Sequence, residues 1–570
     1  MRTIRHEALS VKTHHRTMLD HFPIRIVTRM LVLLALLATA AGRSTTRQDD
    51  TLVRVFVFAG QSNMVGADSR ASDVKLYPPF AGLEGPQKDV LFSYCIGREE
   101  KAQSEGWVEL QPVEDMVGAE LSFARRVSKE LDAPIAIVKV AAGGTTLARD
   151  WNPDEPSGFK LYPLALERTR KALQDLERRG LRYRLEGFCW HQGENDMFDP
   201  NMREAYARNL ARFIECWRRD LRAPDLQFYI GELCTKTIWG MDHRVEMNAI
   251  GTAQREVADK DPRVEFVPTA HIAIEIGGDG GLHYHYGTLG QLEHGVNYAA
   301  AYLRTLGREP KLERPLETWP YAKGEKVRLF VLAGHRNMEG ERAFVQELPA
   351  ESKLAESNPR VAYRYQLGGG FRSSGDWEPL GPAGCYDTLG PELSFAATLA
   401  RGSTEPFAIA KFTHSGSQLV DWTPAGSETP SRNLYAAFLE FVRSARGDLE
   451  RRGHEVELAG IFYHLAENDM SFAPYRRKAI EQLATLMSAS RKDLDSPTLR
   501  WFVSQQPPTA VEHVRSIDVT AQLASLAARD PHLVHIRAFD LPGMDAELVI
   551  TTPGIVALGE LLATSYLGLR

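Results

Sequence analysis

The 570-residue chain contains one long pattern twice. "VFVFAGQSNMVG" (Val55–Gly66) returns as "LFVLAGHRNMEG" (Leu329–Gly340), and "GAELSFARRV" (Gly118–Val127) as "GPELSFAATL" (Gly390–Leu399). "IVKVAAGGTTLARDW" (Ile137–Trp151) returns as "IAKFTHSGSQLVDW" (Ile409–Trp422), and "LERRGLRYRLEGFCWHQGENDM" (Leu176–Met197) as "LERRGHEVELAGIFYHLAENDM" (Leu449–Met470). Gly60 recurs at Gly334 and His191 at His464, so the offset of 274 residues drifts by only one across most of the repeat. A repeat of this length is a whole domain, copied. The expected organisation is a first domain at 51–306, a Pro- and charge-rich linker at 307–326, and a second domain of the same fold at 327–570.

Within each copy, short apolar runs such as "VRVFVFAG", "PIAIVKVAAG" and "LEGFCWHQG" alternate with amphipathic segments such as "ELSFARRVSKEL". Near-continuous Val, Ile and Phe suit strands buried on both faces, and the alternation with helices requires parallel crossovers. Each copy is therefore expected to be an α/β three-layer sandwich around a parallel central sheet. In such open sheets ligands bind at the carboxyl ends of the strands, and each unusual motif falls at a strand end.

Before the repeat, Arg25 and Arg29 precede the nine-residue apolar run Leu31–Thr39, followed by the small-x-small pattern Ala38-Thr39-Ala40. This reads as a signal peptide over residues 1–42 and predicts a secreted or periplasmic protein. The run falls short of the roughly 20 residues that span a bilayer, so no membrane span is expected after cleavage. The leader carries a net charge of +4 within a total of −6, which leaves −10 on the rest of the chain. That acidity, without a cluster of Lys and Arg interleaved with aromatics, excludes nucleic acid as a partner. Five cysteines, with no C-x-x-C, define neither a disulfide framework nor a zinc knuckle. Cys189 reads as a buried thiol.

Four segments carry candidate chemistry. Ser62 follows its strand by a Gly-Gln turn, so its hydroxyl can project above the sheet, with its own N–H and a helix dipole favouring an oxyanion nearby; the competing reading is a helix N-cap. Gly143 and Gly144 end a second strand and allow a ligand to approach backbone N–H groups. In "HQGEND", Asn195 offers an amide donor of the kind used in oxyanion holes. In "GGDGGLHYHYGTLGQLEHG", Asp279, His283 and His285 precede the last helix of the domain, and a serine needs such a histidine, oriented by a carboxylate, to become nucleophilic. A zinc set from His283, His285 and His191 or Glu194 matches no common ligand spacing, and no metal is expected.

These segments resemble the blocks of the SGNH/GDSL hydrolase superfamily, in the G-Q-S-N-M branch that is similar to sialate O-acetylesterases and to acetylxylan esterases of carbohydrate esterase family six. The resemblance covers roughly Val53 to Leu306. It implies a flavodoxin-like sandwich, an O-acetylated carbohydrate substrate, no cofactor, Ser62 as nucleophile, and oxyanion donors from Ser62, Gly143 or Gly144, and Asn195. The family spaces its final Asp and His as D-x-x-H, which this chain does not match. Counting forward from Asp279 favours His283 as the base and counting back from the helix favours His285; we take His283 as the first choice, with Asp279 as its orienting acid. Gln61, Gln192 and Glu194, with Arg149 and Trp151 beyond the glycine loop, are the candidates for substrate contact.

The second copy lacks these groups. Arg336 stands for Ser62, Ser415 for Gly143 and Ala466 for Gly193, while Glu547 and Val549 stand opposite His283 and His285. An arginine cannot accept an acyl group. The copy is expected to be non-catalytic, either a packing partner or a carbohydrate-binding domain with Arg336, His335, Asn468 and Trp422 along a polar cleft. The functional expectation is a serine esterase that deacetylates carbohydrates. Its rival is a secreted glycan-binding protein in which both domains are degenerate.

Overall fold

The computed structural model describes residues 52–99, 101–233, 237–238, 241–274, 285–308, 314–465, 467–470, 472–508, 515–545 and 549–569. The expected leader, Asp279, His283, Ala466 and Glu547 lie outside them. Among the described residues no helix is long and apolar enough to cross a membrane.

The first domain is built on strands β1 (Val53–Gly60), β2 (Gln87–Ile96), β3 (Ala102–Gln103), β4 (Val108–Leu110), β5 (Ile135–Ala141), β6 (Tyr183–His191), β7 (Gln227–Gly231) and β8 (Val264–Val267). They form one sheet in the order β8-β7-β6-β1-β5-β2-β3, with β4 also on β2. The strands from β8 to β2 are parallel, as the alternation predicts, but β3 and β4 run antiparallel to β2. The centre of the sheet is parallel, as expected, and its edge is mixed, where these two short strands return. The two short returning strands pair with backbone groups that β2 would otherwise leave open at the edge.

β1 is buried along nearly its whole length because helices cover both faces. Phe56 and Phe58 join the apolar cluster under α1 (Ala119–Leu131) and α5 (Gly287–Thr305). Val57 and Ala59 join the opposite cluster under α2 (Leu161–Arg178), α3 (Pro200–Asp220) and α4 (Arg244–Lys260). This is the period-two alternation of a strand between two layers. One polar link crosses the α1 face: Lys139 of β5 donates to both carboxylate oxygens of Glu120 at 2.8 Å, and to the carbonyl of Val65 at 3.3 Å. Both partners are nearly inaccessible to water, and deleting one from such a pair costs about 3–5 kcal/mol because the other charge stays buried.

The second domain repeats the plan. Strands β9 (Lys326–Gly334), β10 (Asn358–Leu367), β11 (Arg372–Ser373), β12 (Glu378–Leu380), β13 (Phe407–Thr413), β14 (Glu455–His464), β15 (Trp501–Gln505) and β16 (Leu533–Arg537) take the order β11-β10-β13-β9-β14-β15-β16, with β12 on β10. The buried link returns as Lys411 to Glu392 at 2.7 Å. The described part of the expected linker is docked on this domain: the Tyr321 hydroxyl donates to the Phe407 carbonyl, and the Trp319 indole donates to His454 at 2.8 Å. Phe344 and Tyr386 of the second domain belong to the same apolar cluster as Phe56 and Phe58, so this cluster of the first domain extends onto the second.

Candidate functional site

The motif turns leave the sheet at one level. In the strand register, Gly60 at the end of β1 pairs with Ala141 of β5 on one side and His191 of β6 on the other. The Gln-Ser turn, the Gly-Gly turn and the "HQGEND" turn therefore start side by side, as expected at the carboxyl ends of an open sheet. Gly60 is required by close approach, since a Cβ there would lie 1.9 Å from the His191 carbonyl oxygen. A Cβ at Gly143 would sit 3.5 Å from that of Ser62, so the second turn lies directly against the serine. Ser62 is half-buried and opens a single helical turn, Ser62–Val65. The turn is too short for the expected helix dipole to matter, because that effect grows from many aligned peptides.

Asn195 is held by a buried carboxamide network. Gln61 donates from Nε2 to Asn195 Oδ1 at 3.0 Å, and its Oε1 accepts from Gln192 Nε2 at 3.1 Å and from the Gly193 N–H at 3.3 Å. Because the Asn195 oxygen is engaged by a donor, its NH2 group is the end left for the cleft. Gln192 also donates to Asp196 at 2.6 Å, and Asp196 accepts from the N–H groups of Leu147 and Ala148 at 2.8 and 3.1 Å. Burial pushes the Asp196 carboxyl up to about 6 against these bonds. Three of the substrate-contact candidates do not line the cleft. Gln192 is fully buried and braces the two turns. Trp151 is also fully buried, stacked edge-on to Trp190 at 5.2 Å with its indole N–H on Thr145, and belongs to the core. Arg149 is exposed but lies outside the cleft lining. Gln61 and Glu194 do reach the cleft, each with little exposure.

His285 lines the same cleft as Ser62, Gly143, Gly144 and Asn195. Its Nδ1 lies 2.7 Å from Oδ2 of Asp68, a residue the sequence reading missed. An ionised carboxylate only accepts, so this contact puts the ring proton on Nδ1 and leaves Nε2 as the basic nitrogen. The preferred pair of His283 and Asp279 lies outside the described residues. Asn63, also missed, ties the two ends of the site together. Its Oδ1 accepts from the Tyr286 N–H at 3.1 Å and its Nδ2 donates to Glu194 Oε1 at 2.7 Å. Burial opposes the Glu194 charge, but the hydrogen bonds it receives from His191 and Asn63 hold its carboxyl below the usual range. The cleft has a volume of about 790 Å³, and Arg98, Lys101, Glu114 and Phe198 complete its polar and aromatic wall.

In the second domain, Asn337 Oδ1 accepts from the Ile550 N–H at 2.9 Å, the same bond that Asn63 makes to Tyr286. This equivalence sets Val549, buried and apolar, at the place of His285. Asp68 has Arg342 in its place by the repeat offset. The polar carbohydrate cleft considered for this domain is not open. His335 and Trp422 are fully buried, Arg336 is 1% exposed, and the Trp422 indole donates to Ser417. Glu467, the counterpart of Glu194, is also fully buried, and here burial wins, pushing its carboxyl up to about 7. A carboxyl with a raised folded pKa binds its proton more tightly in the fold, so stability from this group is lost as pH rises from the ordinary glutamate range towards 7. Glu467→Gln removes that titration. Its Tm relative to wild type should therefore be higher at about pH 8 than at about pH 5.5, and thermal melts giving the same difference at both would contradict the buried proton.

A sandwich whose turns bring a serine, an imidazole and a carboxamide to one cleft is the framework of an ester hydrolase. The family model described as carbohydrate esterase, sialic acid-specific acetylesterase, matches residues 52–304 and again residues 326–568. The chain belongs to that family and is a carbohydrate O-acetylesterase. No curated protein matches it. Among solved structures, a protein from Arabidopsis thaliana is 23% identical over 44% of this chain and 98% of its own, with a TM-score of 0.34. NanS is 17% identical over 45% of this chain and 99% of its own, with a TM-score of 0.35. A carbohydrate acetylesterase from Xanthomonas citri is 18% identical over 46% of this chain and 59% of its own, with a TM-score of 0.32.

Proposed function

We propose that the first domain removes O-acetyl groups from a carboxylate-bearing sugar through an acetyl-serine intermediate, and that the second domain is non-catalytic. The observation that carries this is the meeting of Ser62, Asn195 and an Asp68-bound His285 around one cleft. Ser62 Oγ attacks the acetyl carbonyl while His285 Nε2 takes its proton. The oxyanion is held by N–H groups of Ser62 and Gly143 or Gly144 and by the Asn195 amide. The intermediate collapses, the sugar oxygen leaves with the proton from His285, and water, activated by the same imidazole, cleaves the acetyl-enzyme. The test is hydrolysis of a chromogenic acetate by the purified protein, with the rival glycan-binding reading predicting none.

The Asn195 role rests on the orientation imposed by Gln61. Asn195→Ala should lower kcat by about 100-fold with little change in KM, the usual cost of losing one oxyanion donor. A rise in KM with kcat unchanged would instead mark Asn195 as a substrate-binding group.

The preference for an acidic sugar rests on Arg98 and Lys101 in the cleft wall, together with the family description. Arg98 reaches the glycine turn, its Nη1 3.5 Å from where a Cβ of Gly144 would be. A guanidinium is suited to a carboxylate in its fork geometry. Arg98→Ala should raise KM for an O-acetylated sugar acid about 10-fold and leave that for a neutral acetate ester unchanged. Equal effects on both substrates would remove the case for an acidic sugar and leave an acetylxylan-type substrate. Export is proposed on the leader pattern at residues 1–42 alone: the protein should be recovered outside the cytoplasm without that leader, and its retention in the cytoplasm with Met1 in place would contradict export.

A further inference from the structure

The site vacated in the second domain is occupied by the first. Arg336, at the position of the serine, donates to Glu341 Oε1 at 2.9 Å and, at 3.2 Å, to the main-chain carbonyl of Ile274 in the first domain. Ser415, at the position of Gly143, donates from Oγ to the carbonyl of His271 at 2.7 Å. The His271 ring stacks on Phe371 with centroids 3.6 Å apart. Gly416 approaches so closely that a Cβ would lie 1.9 Å from the carbonyl oxygen of Ala270. Residues 270–274 thus lie against the groups that correspond to the nucleophile turn and glycine turn of the first domain.

The other side of this segment is bonded to the elements that carry the first domain's own site. The Ala273 N–H donates to Glu293 of α5 at 2.6 Å, and Thr269 Oγ1 accepts from the Tyr286 hydroxyl at 3.2 Å. Tyr286 follows His285 in the chain, and its N–H is held by Asn63, which follows Ser62. A buried main-chain carbonyl needs a donor, and a forked, permanently charged guanidinium can serve one while remaining paired to a carboxylate. The loss of the serine therefore coincides with the gain of a group suited to gripping another chain segment.

We propose that the vacated cleft of the second domain is a clamp: it grips residues 270–274 of the first domain and, through Tyr286, fixes the turn that carries His285. Arg336 and Ser415 are positioning residues, acting on the reaction without touching substrate. The proposal rests on the reading of His285 as the base, and its test separates the two.

The full chain would be prepared as Arg336→Met, Ser415→Ala, the two combined, and Arg336→Lys. Each would be assayed for kcat, KM and the pH profile of kcat/KM with a chromogenic acetate, well below its unfolding temperature, together with hydrogen exchange of the peptide containing residues 285–290. The combined variant is expected to lose about 10-fold or more in kcat, with KM within about twofold, because a small displacement of a catalytic group is costly. The acid limb of its pH profile should move, exchange at 285–290 should accelerate, and Arg336→Lys should recover part of the loss. Ser415→Ala, which deletes one hydroxyl, should show the same pattern more weakly and serves if Arg336→Met does not fold. Folded variants with a lowered Tm but wild-type kcat, pH profile and exchange would overturn the clamp. Wild-type protein inactive on every acetate ester would count against the esterase reading instead, and the exchange measurement alone would then decide the clamp, faster exchange supporting it and unchanged exchange overturning it.

Discussion

Ser62→Ala should lower kcat on an acetate ester by about 10,000-fold or more while leaving the fold intact. The size follows from losing the only group that forms the covalent intermediate; what survives such a deletion in serine hydrolases is the modest rate from binding and oxyanion stabilisation. The fold should tolerate it because Ser62 is half-buried at the cleft and the turn around it is fixed by its neighbours. Gln61 is anchored to Asn195, Asn63 to Glu194 and Tyr286, and Lys139 holds the carbonyl of Val65. Steady-state kinetics beside a thermal melt would check both halves of the expectation. Activity within about tenfold of wild type would mean that Ser62 is not the nucleophile.

The second large effect concerns the base. His285→Ala should cost about as much as the serine deletion, since residues acting as one unit are grossly non-additive, and the double variant Ser62→Ala/His285→Ala should be little worse than either alone. Asp68→Asn should lower kcat by about 10,000-fold: the neutral amide can donate to Nδ1 and so favours the wrong tautomer. His283→Ala should leave kcat close to that of the wild type. The reverse order, with His283→Ala inactive and His285→Ala active, would restore the forward count from Asp279 and leave the contact of His285 with Asp68 a structural one.

The fold was legible because copying amplified a weak signal: each apolar strand run appears twice, at almost constant offset, with helical patterns between. The antiparallel returns were not, because strands of two and three residues, Ala102–Gln103 and Val108–Leu110, have no periodicity to read. Ser62, Gly143 and Asn195 stood out because each sits in a turn directly after a strand, and Gly60, Ala141 and His191 are in register. Gln192 and Trp151 have cleft residues as neighbours in the sequence, but their burial is set by Tyr206 and Trp190, which pack on them from other elements. Asp68 is 217 residues from its partner, and no spacing rule links them. One signal was present all the same. Asp68 and His285 disappear together from the copy that lost its serine, becoming Arg342 and Val549, whereas Asn63, whose role is to tie turns together, persists as Asn337.

The most direct test of the central claim is to trap the intermediate. Rapid acid quench of the enzyme turning over an acetate ester, followed by peptide mapping by mass spectrometry, should find a single acetyl adduct on Ser62 and none on any peptide from residues 326–568. An acetyl adduct on another residue, or steady turnover by the Ser62→Ala protein with no adduct at all, would contradict an acetyl-serine mechanism housed in the first domain.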